Sequence, residues 1–209
     1  MTPAQVLFGG TFDPVHQGHL AVALAVAEQL ATTVTLLPNA QPPHKAHSAT
    51  LASHRLVMLK LAIAGHPQLA VSDWELQQES PSWTVNTLKH WRSQFPHSPL
   101  IWVIGEDSLG ELHLWYHWQE LAKLCHLAVL PRSEAAPPTA DVAALFPQAP
   151  VAKLHQSTNG LRAHLPMDLH PVSSTQIRQQ LAQHHYSEAL PTKVMAYIKE
   201  QGLYGVPAT

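Results

Sequence analysis

The segment Gly9-Gly10-Thr11-Phe12-Asp13-Pro14-Val15-His16-Gln17-Gly18-His19 concentrates the residue types that phosphate chemistry needs. It follows an apolar run, Ala4 to Phe8, and opens a longer apolar stretch from Gly18 to about Ala31, so it reads as the turn from a first strand into a first helix. In an open α/β sheet, ligands bind beyond the carboxyl ends of strands. Glycines there let the backbone approach a phosphate, and the helix start offers free N–H groups. Gly9, Gly10, Thr11, Phe12 and Gly18 are therefore candidate phosphate contacts. His16 and His19 stand three residues apart, which places two imidazoles on one face at the positive end of the helix. The helix dipole is expected to lower their pKa values and keep them as neutral donors toward developing phosphate charge. Taken alone, the same residues also fit a strand-ending turn followed by two surface histidines.

A second cluster lies near the other end, in Val172-Ser173-Ser174-Thr175-Gln176-Ile177-Arg178. Ser173 can cap a helix with Gln176 three residues on, which leaves the Ser174 and Thr175 hydroxyls, helix-start amides and the Arg178 guanidinium to meet phosphates. By itself the pattern is also a common helix cap. Between the two clusters, Gly105 ends a strongly β-prone run, and Asp107 just beyond it can bind ribose hydroxyls. Trp115 offers a flat face for a heteroaromatic ring, although Trp115 and Trp118 fit core packing equally well. His113 and His117 lack a third ligand in register and the glutamate of H-E-x-x-H, so they read as structural or surface residues. His184-His185 ends a helix, and Cys125 reads as a packed, inert thiol.

The elements that must hold these groups alternate along the chain. Strands are expected at Ala4 to Phe8, Thr33 to Leu37, Leu69 to Ser72, Leu100 to Ile104, His126 to Leu130 and Leu169 to Val172. Helices are expected at Gly18 to Ala31, His54 to Ala64, Thr84 to Gln94, Ser174 to His184 and Lys193 to Gln201, with Gly202 as the C′ residue of the last. A further helical stretch is expected around Trp115, Tyr116, Trp118 and Leu121. Ala40 to Ser53 reads as a polar loop overhanging the sheet, and the Pro/Ala-rich stretch from Ser133 to Pro150 as flexible or variable. This alternation without repeats predicts a Rossmann-like α/β fold, an open and mostly parallel sheet with helices on both faces.

Composition narrows the classes. The 209 residues suit one domain, 1–209, in which the helical part from about 173 to 209 is expected to complete the phosphate site. A formal charge of −2 excludes the broad basic surface that nucleic-acid polymers require. No basic and apolar leader stands near Met1, and the longest apolar run, Leu20 to Ala27, falls far short of the roughly 18 residues of a membrane span. One cysteine permits no internal disulfide, which suits a cytoplasmic location. A homo-oligomer is compatible with all of this.

The run from Gly9 to His19, with its H-x-G-H at His16 to His19, resembles the opening of the bacterial nicotinate-nucleotide adenylyltransferases, within the nucleotidylyltransferase superfamily. Val172 to Arg178 is similar to that family's I-S-S-T-x-I-R, with Val172 in place of Ile. Gly105-Glu106-Asp107-Ser108-Leu109 followed by Trp115-Tyr116 resembles G-x-D-x-L…W, and Ser82-Trp83-Thr84 resembles S-Y-T with Trp83 in place of Tyr. Pro38-Asn39 with Pro42-Pro43-His44-Lys45 resembles a loop over the active site. The resemblance implies adenylyl transfer from ATP, carrying Mg²⁺ on its phosphates, to nicotinate mononucleotide, giving deamido-NAD and pyrophosphate. It implies His16, His19, Lys45 and Arg178 as catalytic groups, with Gly105, Asp107, Ser174 and Thr175 also on ATP. Asn39, His44, Lys45, Thr84, Asp107, Trp115 and Tyr116 are implied on the mononucleotide. Arg132 matches a family arginine, but Ser133-Glu134 replaces the usual P-G after it, and its role stays open. Phosphopantetheine and FMN adenylyltransferases, class I aminoacyl-tRNA synthetases and a regulator without turnover are the alternative readings.

Overall fold

The computed structural model describes residues 2–40, 50–79, 81–132, 135–168 and 172–209. Its strands are β1 (Gln5–Gly10), β2 (Val34–Pro38), β3 (Leu69–Val71), β4 (Leu100–Gly105), β5 (His126–Leu130) and β6 (Arg162–His164). Its α-helices are α1 (Gln17–Gln29), α2 (Ala52–Ile63), α3 (Thr84–Gln94), α4 (Glu106–Gly110), α5 (Trp118–Leu121), α6 (Ala140–Leu145), α7 (Ser174–His184) and α8 (Thr192–Glu200). The strands form one sheet in the order β3-β2-β1-β4-β5-β6, with every described pairing parallel. Order reverses between β1 and β4, and a doubly wound sheet opens its ligand crevice at that switch point.

A parallel sheet is covered on both faces, so its strands are apolar throughout and their side chains alternate between two cores. Val6, Ile101, Val103 and Ala128 face one core with residues of α1, α2, α7 and α8. Leu7, Trp102, Ile104, Leu127 and Val129 face the other, with Val85, Leu88 and Trp91 of α3, Leu121 of α5 and Val142 of α6. Helices therefore lie on both faces, as expected. The C-terminal helices α7 and α8 share a core with α1.

Three elements depart from the sequence expectation. The final strand is Arg162–His164, beside β5. Of the expected strand Leu169 to Val172, residues 169–171 lie outside the described residues, and Val172 is not in a strand. Arg162, Ala163 and His164 are too few and too mixed in polarity to register as a strand, yet Ala163 is fully buried against the sheet. The stretch Ser133 to Pro150 is not wholly irregular: Thr139 Oγ1 accepts from the Val142 amide and starts α6, whose Val142 and the following Phe146 are fully buried. Proline content obscured that short helix. Trp115 and Tyr116 sit between a 3₁₀ turn, Leu112–Leu114, and α5, rather than in a helix, because His117 adopts φ 51° and breaks the run.

Candidate active site

The first motif folds as a strand, a tight loop and a helix start. β1 extends through Gly9 and Gly10 instead of ending before them. A Cβ at Gly9 would stand 2.6 Å from the Trp102 ring, and one at Gly10 would stand 2.9 Å from the Phe12 ring. In this structure the glycines are thus required by aromatic packing, where the sequence suggested only phosphate approach. Phe12 takes φ 50° and buries its ring edge-on to His19 at 5.0 Å. The Asp13-Pro14 peptide is cis.

His16 is the N-cap of α1 and His19 its third residue, and the two form a reciprocal capping box. The His19 amide donates to His16 Nδ1 at 3.4 Å, and the His16 amide donates to His19 Nδ1 at 3.3 Å. Both Nδ1 atoms accept, so each neutral ring must carry its proton on Nε2. The result is a pair of neutral Nε2–H donors, stacked 3.7 Å apart. Burial lowers the His16 pKa to about 4. Burial also places His19 well below its ordinary value, assisted by the charges of His16 and Arg132. Desolvation, rather than the helix dipole, is the first cause. Gly18 serves the same arrangement, since a Cβ there would sit 3.1 Å from the His16 ring.

The second motif caps α7 as its sequence suggested: Ser173 Oγ accepts from the Gln176 amide at 3.2 Å, and Gln176 Oε1 accepts from the Ser173 amide at 3.3 Å. The two motifs meet. Ser174 Oγ donates to Pro14 O at 3.1 Å, and Arg178 Nη1 donates to Asp13 O at 2.7 Å. Arg178 Nη2 reaches Thr175 Oγ1 at 3.1 Å. A guanidinium has five N–H donors, so donors remain for a phosphate after these two contacts.

Beside the loop lies a cavity of about 250 Å³ at the carboxyl ends of β1 and β4. Gly9, Asn39, Thr84, Gly105, Asp107 and Trp115 line it, which brings together candidates from five separate segments. A Cβ at Gly105 would collide with the Asp107 carboxylate. Tyr116 is not among the lining residues; it is half exposed and packs on Trp83, ring centroids 5.0 Å apart. The turn into α5 thus places its ring outside the cavity wall. Thr11 contributes its carbonyl, which accepts from Arg55. His44 and Lys45 lie outside the described residues.

Sequence reasoning missed the support beneath these groups. Arg55, fully buried on α2, donates to Thr11 O and Asn39 O at 2.7 Å and to Ala40 O at 3.1 Å. It thereby ties the β1 loop to the end of β2. A lone arginine on the apolar helix around Met58 and Leu59 was the available signal. Tyr204, in the 3₁₀ turn Leu203–Gly205, donates to Asp13 Oδ1 at 2.7 Å. Burial raises the Tyr204 pKa above its ordinary value, and the Asp13 carboxylate adds to the rise. Glu75 and Arg132 also line the cavity, which gives Arg132 a location that its motif left open. Arg132 Nε stands 3.9 Å from Asp107 Oδ1. Cys125 is fully buried, and burial raises its thiol pKa, as its inert reading required. Among the described residues no group of three or more His, Cys, Asp or Glu is placed to hold a metal, and no helix is long and apolar enough to cross a membrane.

Residues 7–180 match the Cytidylyltransferase-like family model. The chain is 39% identical to the "Probable nicotinate-nucleotide adenylyltransferase" of Idiomarina loihiensis, over 96% of this chain and 99% of that protein. It is 40% identical to the protein of the same name from Serratia proteamaculans, over 97% of this chain and 96% of that one. Its fold is similar to that of the Plasmodium falciparum nicotinic acid mononucleotide adenylyltransferase complexed with NaAD. That likeness has a TM-score of 0.73 at 16% identity and covers 97% of this chain and 98% of that one. Near full-length matches at this identity, joined to the two convergent motifs, mean that the chain belongs to the nicotinate-nucleotide adenylyltransferase family.

Proposed function

We propose that this protein transfers the adenylyl group of ATP to nicotinate mononucleotide, forming deamido-NAD and releasing pyrophosphate. The observation that carries the reading is the junction of the two helix starts, Arg178 on Asp13 O and Ser174 on Pro14 O, beside a cavity at the switch point. One helix start offers two neutral imidazole donors, and the other offers hydroxyls and a guanidinium. Together they suit a polyphosphate, while a cavity with Trp115 on its wall suits a mononucleotide with a flat base. The relatives carrying the nicotinate-nucleotide adenylyltransferase name support this acceptor.

A phosphate oxygen of the mononucleotide attacks the α-phosphorus of ATP in line. The bond from that phosphorus to the bridging oxygen breaks, and its electron pair leaves on pyrophosphate. An anionic nucleophile needs no strong base, so catalysis rests on positioning and on stabilising charge. His16 and His19 donate from Nε2 to the phosphates, and Arg178 orients them while bracing the Asp13 loop. Arg132, close enough to lower the His19 pKa, adds positive charge on the cavity side. Lys45 is assigned to the phosphates and His44 and Asn39 to the mononucleotide. Asp107 is assigned to ribose, and Thr84 with Trp115 to the pyridine ring. Mg²⁺ would arrive on the ATP phosphates and neutralise part of their charge; magnesium is commonly held by substrate phosphates with few protein ligands.

The test is pyrophosphate release from ATP with nicotinate mononucleotide, nicotinamide mononucleotide, phosphopantetheine and FMN in turn. Nicotinate mononucleotide should give the highest kcat/KM. A higher value with phosphopantetheine or FMN would overturn the assignment.

A further inference from the structure

The last turn of the chain comes back to the loop of the first motif. Tyr204 takes φ 57°, a left-handed conformation that residues other than glycine seldom adopt. Such a conformation persists only where the surrounding contacts fix it. Here the ring packs against the core, and the hydroxyl donates to Asp13 Oδ1 at 2.7 Å. The Thr50 side chain hydrogen-bonds the same hydroxyl, whose proton is committed to Asp13, so Thr50 is the donor in that second bond. Asp13 and Thr50 are both buried, which leaves water little access to replace either bond. Burial raises the Tyr204 pKa, which keeps the proton on the phenol.

Asp13 is thus held from two sides. Arg178 of α7 takes its main-chain carbonyl at 2.7 Å, and Tyr204 takes its carboxylate. Arg55 braces the flanks: it donates to Thr11 O at 2.7 Å and to Thr50 O at 3.4 Å, and its charge is near enough to interact with that of Asp13. A buried carboxylate is costly unless its partners are complete. One hydroxyl therefore joins the loop before α1, the residue Thr50 ahead of α2 and the C-terminal turn.

We propose that Tyr204 is a positioning residue for adenylyl transfer: its hydroxyl, acting through the Asp13 carboxylate, fixes the loop that sets His16 and Arg178 against the phosphates. This rests on the transfer reaction proposed above and not on the choice of acceptor. Without the hydroxyl, Asp13 keeps its charge and loses a donor, so the carboxylate turns to another partner and carries the loop with it. Asp13 O and Pro14 O then shift beneath Arg178 and Ser174, and the two helix starts lose their mutual alignment. The cavity wall at Thr84, Gly105 and Trp115 belongs to other segments and stays in place. The loss falls on turnover and spares mononucleotide binding.

Steady-state kcat and KM, measured with whichever acceptor serves wild type best and well below every variant's unfolding transition, separate positioning from general stabilisation. Tyr204→Phe keeps the ring and should lower kcat about tenfold, with KM for the mononucleotide within a factor of about two. Tyr197→Phe is the control, because it removes a comparable hydroxyl bond, to His54 Nδ1 at 2.8 Å between α8 and α2, and should keep wild-type kcat. Asp13→Asn retains an acceptor for Tyr204 and should stay within about threefold of wild-type kcat, whereas Asp13→Ala should lose about tenfold or more. Adding Tyr204→Phe to Asp13→Ala should cost nothing further, since both act through one bond. Wild-type kcat in Tyr204→Phe, an equal loss in Tyr197→Phe, or losses that multiply in the double variant overturn the proposal. If Tyr204→Phe fails to fold, the two Asp13 variants decide, and equal losses in Asn and Ala overturn it. Absence of wild-type turnover with every acceptor would instead overturn the transfer reaction, and this proposal with it.

Discussion

Arg178 donates to the carbonyl oxygen of Asp13 at 2.7 Å, joining residues 165 positions apart in sequence. This bond joins two helix starts into one surface. Lysine in place of arginine cannot reach both Asp13 O and Thr175 Oγ1 with one planar fork. Arg178→Lys is expected to lower kcat/KM for ATP by roughly 10- to 100-fold while leaving KM for the mononucleotide within a factor of about three. Initial rates against each substrate check this, and an equal effect on both substrates would point to general damage.

His19 combines a cap with a donor. His19→Ala should reduce kcat by about 10²- to 10³-fold, with a much smaller change in KM for ATP. Loss of its Nδ1 acceptor for the His16 amide should also cost on the order of 1 kcal/mol of stability. Denaturant unfolding separates the two effects. His19→Asn, which keeps an acceptor at the cap, is expected to recover stability without recovering turnover.

The buried histidines set an acid limit on stability. His16 titrates at about 4 in the folded chain against an ordinary 6.5, so between these values the unfolded state binds the extra proton. The contribution is intact above 6.5 and disappears as pH falls to about 4, a loss on the order of 3 kcal/mol from His16 alone. Melting temperature should therefore fall steeply across that window. His16→Asn, which caps without titrating, should flatten the profile; an unchanged slope in the variant would assign the acid sensitivity elsewhere.

Gly18 is needed for the room it leaves. Its missing Cβ would stand 3.1 Å from His16, so Gly18→Ala must shift that imidazole by a few tenths of an ångström. Turnover is expected to drop about tenfold with the helix itself preserved. Circular dichroism and kcat measured on one sample make the comparison.

The strand and helix pattern was legible because buried parallel strands are continuous apolar runs and long helices carry marked caps. α3, β5 and α7 begin and end where turn residues and caps placed them. β6 and α6 escaped because each is short and defined by its tertiary partners, Ala163 against β5 and Phe146 in the core. In the site, motif residues could be named from their types and spacing, but the forces on them could not. The His16–His19 capping box follows a spacing well known for Ser and Glu, with imidazoles in their place. Burial as the cause of the lowered histidine pKa values requires the tertiary fold, in which Phe12 packs edge-on against His19. Tyr204 reaches Asp13 from 191 residues away, and nothing local in Leu203-Tyr204-Gly205 announces it.

Direct transfer between two bound nucleotides is the centre of the account, and isotopic labelling tests it most directly. With ATP labelled on its α-phosphorus and nicotinate mononucleotide present, all transferred label should appear in deamido-NAD, with inversion at that phosphorus and none on the protein. Label trapped covalently on the enzyme, or released as AMP with no labelled dinucleotide, would contradict it.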